Sequence, residues 1–175
     1  MRKISLLKLG AVVALSLGVE IYSQSTSQNV KAASWGAKTL FTTPKATRGT
    51  WYYKEEGEIK RWKITAHTSN GRKLYKILPT KEYGKWYNKL VRQNEKHHYQ
   101  TITELDNTQW QAYTFKWHGV TAFNTNGWLA GAGDGVYYVP TTRTRHGQRV
   151  KALRFGGGAG NWLAFYAYKS RNLAR

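Results

Sequence analysis

The sequence predicts an all-β fold, a single small antiparallel barrel or sandwich of about eight strands, with a calycin-like barrel as one form of it. Three observations predict it. Short runs rich in Trp, Tyr, Val, Ile and Thr alternate apolar with polar residues. Gly, Asn and Asp punctuate them at regular spacing. No segment carries a convincing helix cap, and closure hides the edges of so many strands.

Taken in order, residues 33–47 contain Trp35, Phe41 and Pro44 without a period and read as an arm, and 48–175 as the β-rich domain. Gly49 to Tyr53 is rich in strand formers. Glu58 to Ala66 alternates, with Trp62, Ile64 and Ala66 on one face. Asn70-Gly71 is a strong hairpin signal and leads into Arg72 to Leu78, closed by Pro79. Lys81 to Arg92 reads two ways, because Tyr83, Trp86, Tyr87, Leu90 and Val91 also fit a helical stripe. Tyr99 to Leu105 is expected as a return strand. Gln111 to Trp117 alternates, with Tyr113, Phe115 and Trp117 on the side expected to face the core, as Trp62 does in its own strand. Asp134-Gly135 introduces Val136 to Val139, and His146-Gly147 links that stretch to Gln148 through Phe155. Trp162 to Tyr168 is apolar on both faces, as a buried central strand would be.

The amino end reads as a secretory leader spanning 1–32. Met1, Arg2 and Lys3 give a positive start, Leu9 to Val19 an apolar run, and Ala32 a small residue at the cut. The run is eleven residues long, short of the roughly 20 that cross a bilayer, so no transmembrane segment is expected after its removal. The polar spacer Glu20 to Lys31 resembles leaders of Gram-positive bacteria, lactic acid bacteria in particular. A secreted or non-covalently surface-held product is expected.

The remaining 143 residues carry 24 Lys and Arg against 8 Asp and Glu, a balance of +16. Solubility in a small domain needs a net charge of only about 2–8, so the excess points to a polyanionic partner. Anionic cell-wall polymers are the first expectation, nucleic acid the second. With no cysteine, a disulfide scaffold is excluded and an aromatic core must hold the fold.

An inventory of chemistry yields no catalytic set. Ser34, Ser69 and Ser170 are the only serines after the leader, and none lies in a nucleophile elbow. Glu55, Glu56 and Glu58 crowd one turn instead of flanking a substrate bond. Neighbouring His97 and His98 would point apart on a strand, so no metal is expected. Glu104, His118 and Arg143 could serve a small nuclease. A non-enzymatic, cofactor-free, monomeric binding domain is the primary reading. Its expected contact residues are Arg143, Arg145, Arg149 and Lys151 around the His146-Gly147 turn, as one surface, with Trp86 and Tyr87 as exposed rings.

Two resemblances accompany these readings. Thr43-Pro44-Lys45, Arg48 to Tyr52, Lys151 to Arg154, Gly158 to Gly160 and Tyr166 to Tyr168 resemble segments of small exported proteins of lactobacilli. That likeness implies an exported compartment and no chemistry. Gly49-Thr50-Trp51 resembles the Gly-x-Trp that opens the first strand of lipocalins, which implies an eight-stranded barrel carrying a small apolar ligand.

Overall fold

The computed structural model describes residues 39–175, except 98, 99 and 132 and the side chains of 101 and 102. The leader, its cleavage site, Trp35 and His98 lie outside the described residues. Nine strands and three helices follow in the order β1 (Gly49–Glu55), β2 (Glu58–Ile64), β3 (Thr68–Ser69), β4 (Arg72–Lys76), α1 (Thr80–Lys96), α2 (Gln100–Thr108), β5 (Gln109–Trp117), β6 (Val120–Asn126), β7 (Val136–Arg145), β8 (Gln148–Gly157), β9 (Trp162–Tyr168) and α3 (Arg171–Ala174). A 3-10 turn, Lys45–Thr47, precedes β1. Each strand pairs with the next, and Tyr52 of β1 pairs with Tyr168 of β9, so one sheet closes in a ring.

The mostly β prediction stands, with corrections of strand number, direction and helix content. β4 and β5 run parallel, Lys73 opposite Gln109 and Lys76 opposite Ala112. Parallel neighbours need a long crossover, and α1 and α2 supply it. The expected return strand Tyr99 to Leu105 is therefore helical where described. Asn70-Gly71 does make a tight turn, with φ of 47° and 87°. It joins β4 to the two-residue β3, and β3 is what pairs with β2.

Alternation sends Trp51, Tyr53, Ile64, Leu74, Ala112, Phe123, Tyr138, Leu153, Phe155 and Ala167 inward. The rings pack face to face: Tyr53 on Phe165 at 4.2 Å, Phe155 on Phe165 at 4.6 Å and Phe123 on Tyr138 at 4.4 Å. Each buried aromatic removes about 150–250 Å² from water, so rings replace the missing disulfides. The described part of the arm joins this core: Phe41 is buried against Phe123, and its N–H donates to the Leu74 carbonyl at 2.9 Å.

Outside the ring, α1 presents Tyr83, Trp86 and Leu90 to Tyr75 and Trp128, with Leu105 from α2 completing the cluster. This is the helical stripe, and it corrects the expectation that the Trp86 ring is exposed: Trp86 is 8% exposed and packs 5.0 Å from Trp128. Tyr87, on the flank of the stripe, is exposed. The β5 faces are also reversed. Trp110 and Ala112 point inward, so Tyr113, Phe115 and Trp117 lie half-buried on the outer face.

Inside, the Trp62 indole N–H donates to Ser69 Oγ at 2.9 Å, and that hydroxyl donates to the Tyr138 oxygen at 3.0 Å. Burial pushes the Tyr138 phenol up to about 12, so it stays neutral. Ser69→Ala breaks both links of the relay. We expect a loss of about 2 kcal/mol, since each buried group left unpaired costs about 1–3 kcal/mol. Tyr138→Phe, which keeps the Trp62–Ser69 link, should cost less. Urea unfolding of both variants checks the order.

Asp106 of α2 supplies a pH signature. Burial raises its carboxyl above the ordinary 3.8, against weaker opposing pulls from the Trp128 N–H and the Arg72 charge. The native state therefore binds this proton more tightly than the unfolded chain does. Its stabilisation is fully present below the unfolded pKa and is lost as pH rises through the folded value. Asp106→Asn, which cannot ionise, should flatten that slope and leave the variant more stable than the parent at neutral pH. Urea unfolding over a pH series is the measurement; a variant less stable at neutral pH would contradict it.

Candidate anion-binding ribbon

β7 and β8 are the longest strands, ten residues each, and they outrun their neighbours. β6 pairs with β7 only over Val136 to Tyr138, and β9 pairs with β8 only from Ala152 onward. Pro140 stands just past the last β6 pairing and cannot donate a ladder hydrogen bond. From there to the tip, β7 and β8 form a two-stranded ribbon with both outer edges unpaired. His146 and Gly147 close it with φ of 50° and 76°, the doubly left-handed turn that matches strand twist.

Register divides the four expected contact residues between two faces. Arg143 lies opposite Val150 and Arg145 opposite Gln148, while Lys151 lies opposite Thr142 and Arg149 opposite Thr144. Register alternates them between the two faces, by the two-residue period of a strand, and Arg143 and Arg149 meet at one cleft between Thr142 and Thr144.

The outer pair belongs to a larger array. The Arg143 guanidinium lies 4.5 Å from the Tyr166 ring centroid, Arg145 5.4 Å from Tyr168, Arg171 5.6 Å from Tyr52 and Arg154 5.4 Å from Trp117. Cation–π contacts of this kind hold a guanidinium in place without neutralising it, each worth about 0.5–1 kcal/mol at exposed sites. Arg145 also donates to the Leu173 carbonyl at 3.0 Å and to the main-chain oxygen of Arg175, which braces α3. The sequence alone points only to the hairpin; the rings come from β1, β5 and β9, and only the register of the closed sheet brings them alongside.

The inner pair lines two clefts. Thr142, Arg143, Thr144 and Arg149 border one of about 430 Å³, where Arg149 donates to the Thr142 hydroxyl at 3.1 Å. Lys151, Thr142, Pro140, Val120, Ala46 and Trp51 border another of about 450 Å³. Below them Lys169 rests its ammonium 3.5 Å from the Trp51 ring centroid and donates to the Arg48 carbonyl at 2.8 Å. Burial, and then the charge of Lys151, lower the Lys169 pKa.

Acids are segregated from this end. Glu55, Glu56 and Glu58 occupy the β1–β2 turn, and Asp134 the β6–β7 loop, both at the opposite end of the ring. Among the described residues the one ion pair is Lys60 with Glu55 at 2.6 Å, also at that opposite end. The nuclease trio does not converge. Glu104 lies in α2, ahead of the start of β5, and His118 lies beyond the far end of that nine-residue strand. Among the described residues no group of three His, Asp or Glu is placed to hold a metal, and no helix is long and apolar enough to cross a membrane.

Comparison with protein-family models, with curated proteins and with solved structures gives no match in any of the three.

Proposed function

We propose that the protein is a secreted, monomeric, non-enzymatic binding domain that holds anionic cell-wall polymers, with the β7–β8 ribbon as its grip. The observation that carries this reading is the end of the ring whose described turns carry no Asp or Glu, where guanidinium groups are fixed on rings across the outer face and two more cations line clefts on the inner face. A phosphate-bearing chain can run along the outer array while the threonine hydroxyls and Arg149 take a phosphate on the inner side. The closed sheet that opens with Gly49-Thr50-Trp51 we read as a calycin-like barrel. Its parallel β4–β5 crossover and ninth strand depart from an eight-stranded up-and-down pattern. The stacked rings fill its middle, which leaves an apolar-ligand carrier without supporting geometry.

Nucleic acid is the competing polyanion. Base stacking needs open ring faces, and on this array the faces of Tyr166, Tyr168 and Tyr52 carry guanidinium groups. That favours a ligand read through its phosphates.

The test uses Arg143→Gln, Arg149→Gln and Lys151→Gln together, sparing Arg145 because it braces α3. Exposed changes of this kind alter stability by under about 0.5 kcal/mol. Binding to isolated Gram-positive walls and to purified poly(glycerol phosphate) teichoic acid should weaken. The slope of log affinity against log salt should become shallower by about two, at roughly 0.7 per phosphate contact on a single-stranded chain. A control triple away from the ribbon end, Lys54→Gln, Arg61→Gln and Lys89→Gln, should lose less. Equal losses would show that net charge alone matters. Displacement from walls by oligonucleotides far below charge equivalence would favour nucleic acid instead.

A further inference from the structure

The end of the ring opposite the ribbon carries a second feature that charge does not explain. Trp162 is 67% exposed, with Leu163 beside it at 49%. A Trp in a strand apolar on both faces is expected to be buried, and here it is not. Only Tyr168 of β9 pairs with β1, so the first half of β9 has no neighbour on that side.

The ring is nevertheless held firmly. It lies over the turn that precedes it, with one face on glycine backbone. A Cβ at Gly158 would stand 2.2 Å from Trp162 Cζ3, and one at Gly160 2.8 Å from Trp162 Cε2. Gly158 also has φ of 69°, a conformation that L side chains rarely adopt. Arg154 fixes the turn from below, donating to Asn161 Oδ1 at 2.8 Å and to the Asn161 carbonyl at 2.7 Å. The Asn161 N–H closes the turn on the Gly158 carbonyl at 3.1 Å. Four constraints thus present one clean indole face to solvent.

A carboxylate lies on the loop that packs against this turn. Gly133 of the β6–β7 loop packs on the same turn so closely that a Cβ there would lie 2.9 Å from Ala159 N. The next residue, Asp134, is exposed and accepts the Gly131 N–H at 2.7 Å through Oδ2. An ionised carboxylate has about four lone-pair positions, so it retains acceptor capacity toward a ligand. Glu55, Glu56 and Glu58 belong to the same end.

We propose that Trp162 and Asp134 form a saccharide-binding site that takes a neutral hexopyranose ring. The negative face of an indole attracts the positive C–H edge of an apolar ligand face, and a pyranose presents such a face with hydroxyl donors around its rim. Those donors suit Asp134. A phosphodiester would meet the acids of this end, so the charge balance selects an uncharged sugar over a nucleotide or a wall phosphate. The site lies apart from the ribbon tip and its variants touch none of the tip cations, so it stands or falls separately. Arg154 alone serves both, beside Trp117 in the outer array and on Asn161 here.

The experiment is a titration of the protein, labelled at indole nitrogen, with four neutral tetrasaccharides: cellotetraose, maltotetraose, mannotetraose and tetra-N-acetylchitotetraose. The Trp162 indole cross-peak, assigned from Trp162→Phe, should shift saturably at millimolar concentration with at least one of them. Trp162→Ala should abolish saturable binding by calorimetry. Asp134→Asn should weaken it about fivefold, as expected for one hydrogen bond. Gly160→Ala keeps the ring but lifts it from its bed, and should weaken binding with little change in melting temperature, a result that a merely structural role for Trp162 would not give. No shift with any of the four sugars, or undiminished binding by Trp162→Ala, overturns the proposal. A stronger response of Trp162 to oligothymidylate than to the sugars overturns the choice of a neutral ligand.

Discussion

The closed sheet depends on one junction, at Trp51. Its indole N–H donates to the Thr47 carbonyl at 2.7 Å, which ties β1 to the 3-10 turn. Its ring lies under the Lys169 ammonium from the end of β9, and that ammonium donates to the Arg48 carbonyl. The β1–β9 seam has a single ladder pair, Tyr52 with Tyr168, so side chains do the closing that backbone hydrogen bonds perform elsewhere. Gly49 is part of the same fit: its φ is 115°, and a Cβ there would stand 2.7 Å from Lys169 Nζ. Glycine, tryptophan and lysine thus form one mechanical unit, contributed by the two ends of the domain.

Once the ring is closed, its two ends acquire opposite chemistry. The turns β5–β6 and β7–β8, the 3-10 turn and α3 gather at the Trp51 end and carry His118, Arg143, Arg145, Arg149, Lys45, Arg48 and Arg171. The turns at the other end carry Glu55, Glu56, Glu58 and Asp134. The domain is a dipole as well as a strong cation, so a polyanion meets a preferred orientation and not only an attraction. Aromatic rings serve both ends differently. At the basic end they brace guanidinium groups, and at the acidic end one ring lies bare.

Much of this was legible in the sequence, and the rest failed for identifiable reasons. Asn70-Gly71, His146-Gly147 and the bounds of β9 were readable because turn chemistry is local. The helix at Gln100–Thr108 was not, since the β-branched run Thr101, Ile102 and Thr103 favours strand. It is helical because the chain must return along the outside of the sheet to enter β5 parallel to β4, and tertiary demand overrides weak propensity. The face of β5 differs because the inward face is apolar only in its first half, at Trp110 and Ala112, and polar in the second, at Thr114 and Lys116, where the alternation is clearest. Its pairing with β4, where Trp110 stands opposite the inward Leu74, decides between the two faces. Trp86 was assigned to the surface because a helix and an irregular segment share its local pattern. At the candidate site the cations were visible as a cluster, but their ring partners Tyr52, Trp117, Tyr166 and Tyr168 were not, because pairing them requires the register of five strands.

The unpaired stretch of β7 and β8 has a consequence for how copies of the protein meet. A free strand edge is a template for pairing with another chain. Here each edge is studded with arginine and lysine, so two ribbons approaching side by side bring like charges within the roughly 8 Å over which charge acts at physiological salt. Mutual repulsion opposes such pairing in free solution. A polyanion laid along the ribbon cancels that repulsion and leaves the backbone edge intact. On the proposed function, crowding on a loaded polymer would remove that guard and allow strand-to-strand contact between neighbouring copies there.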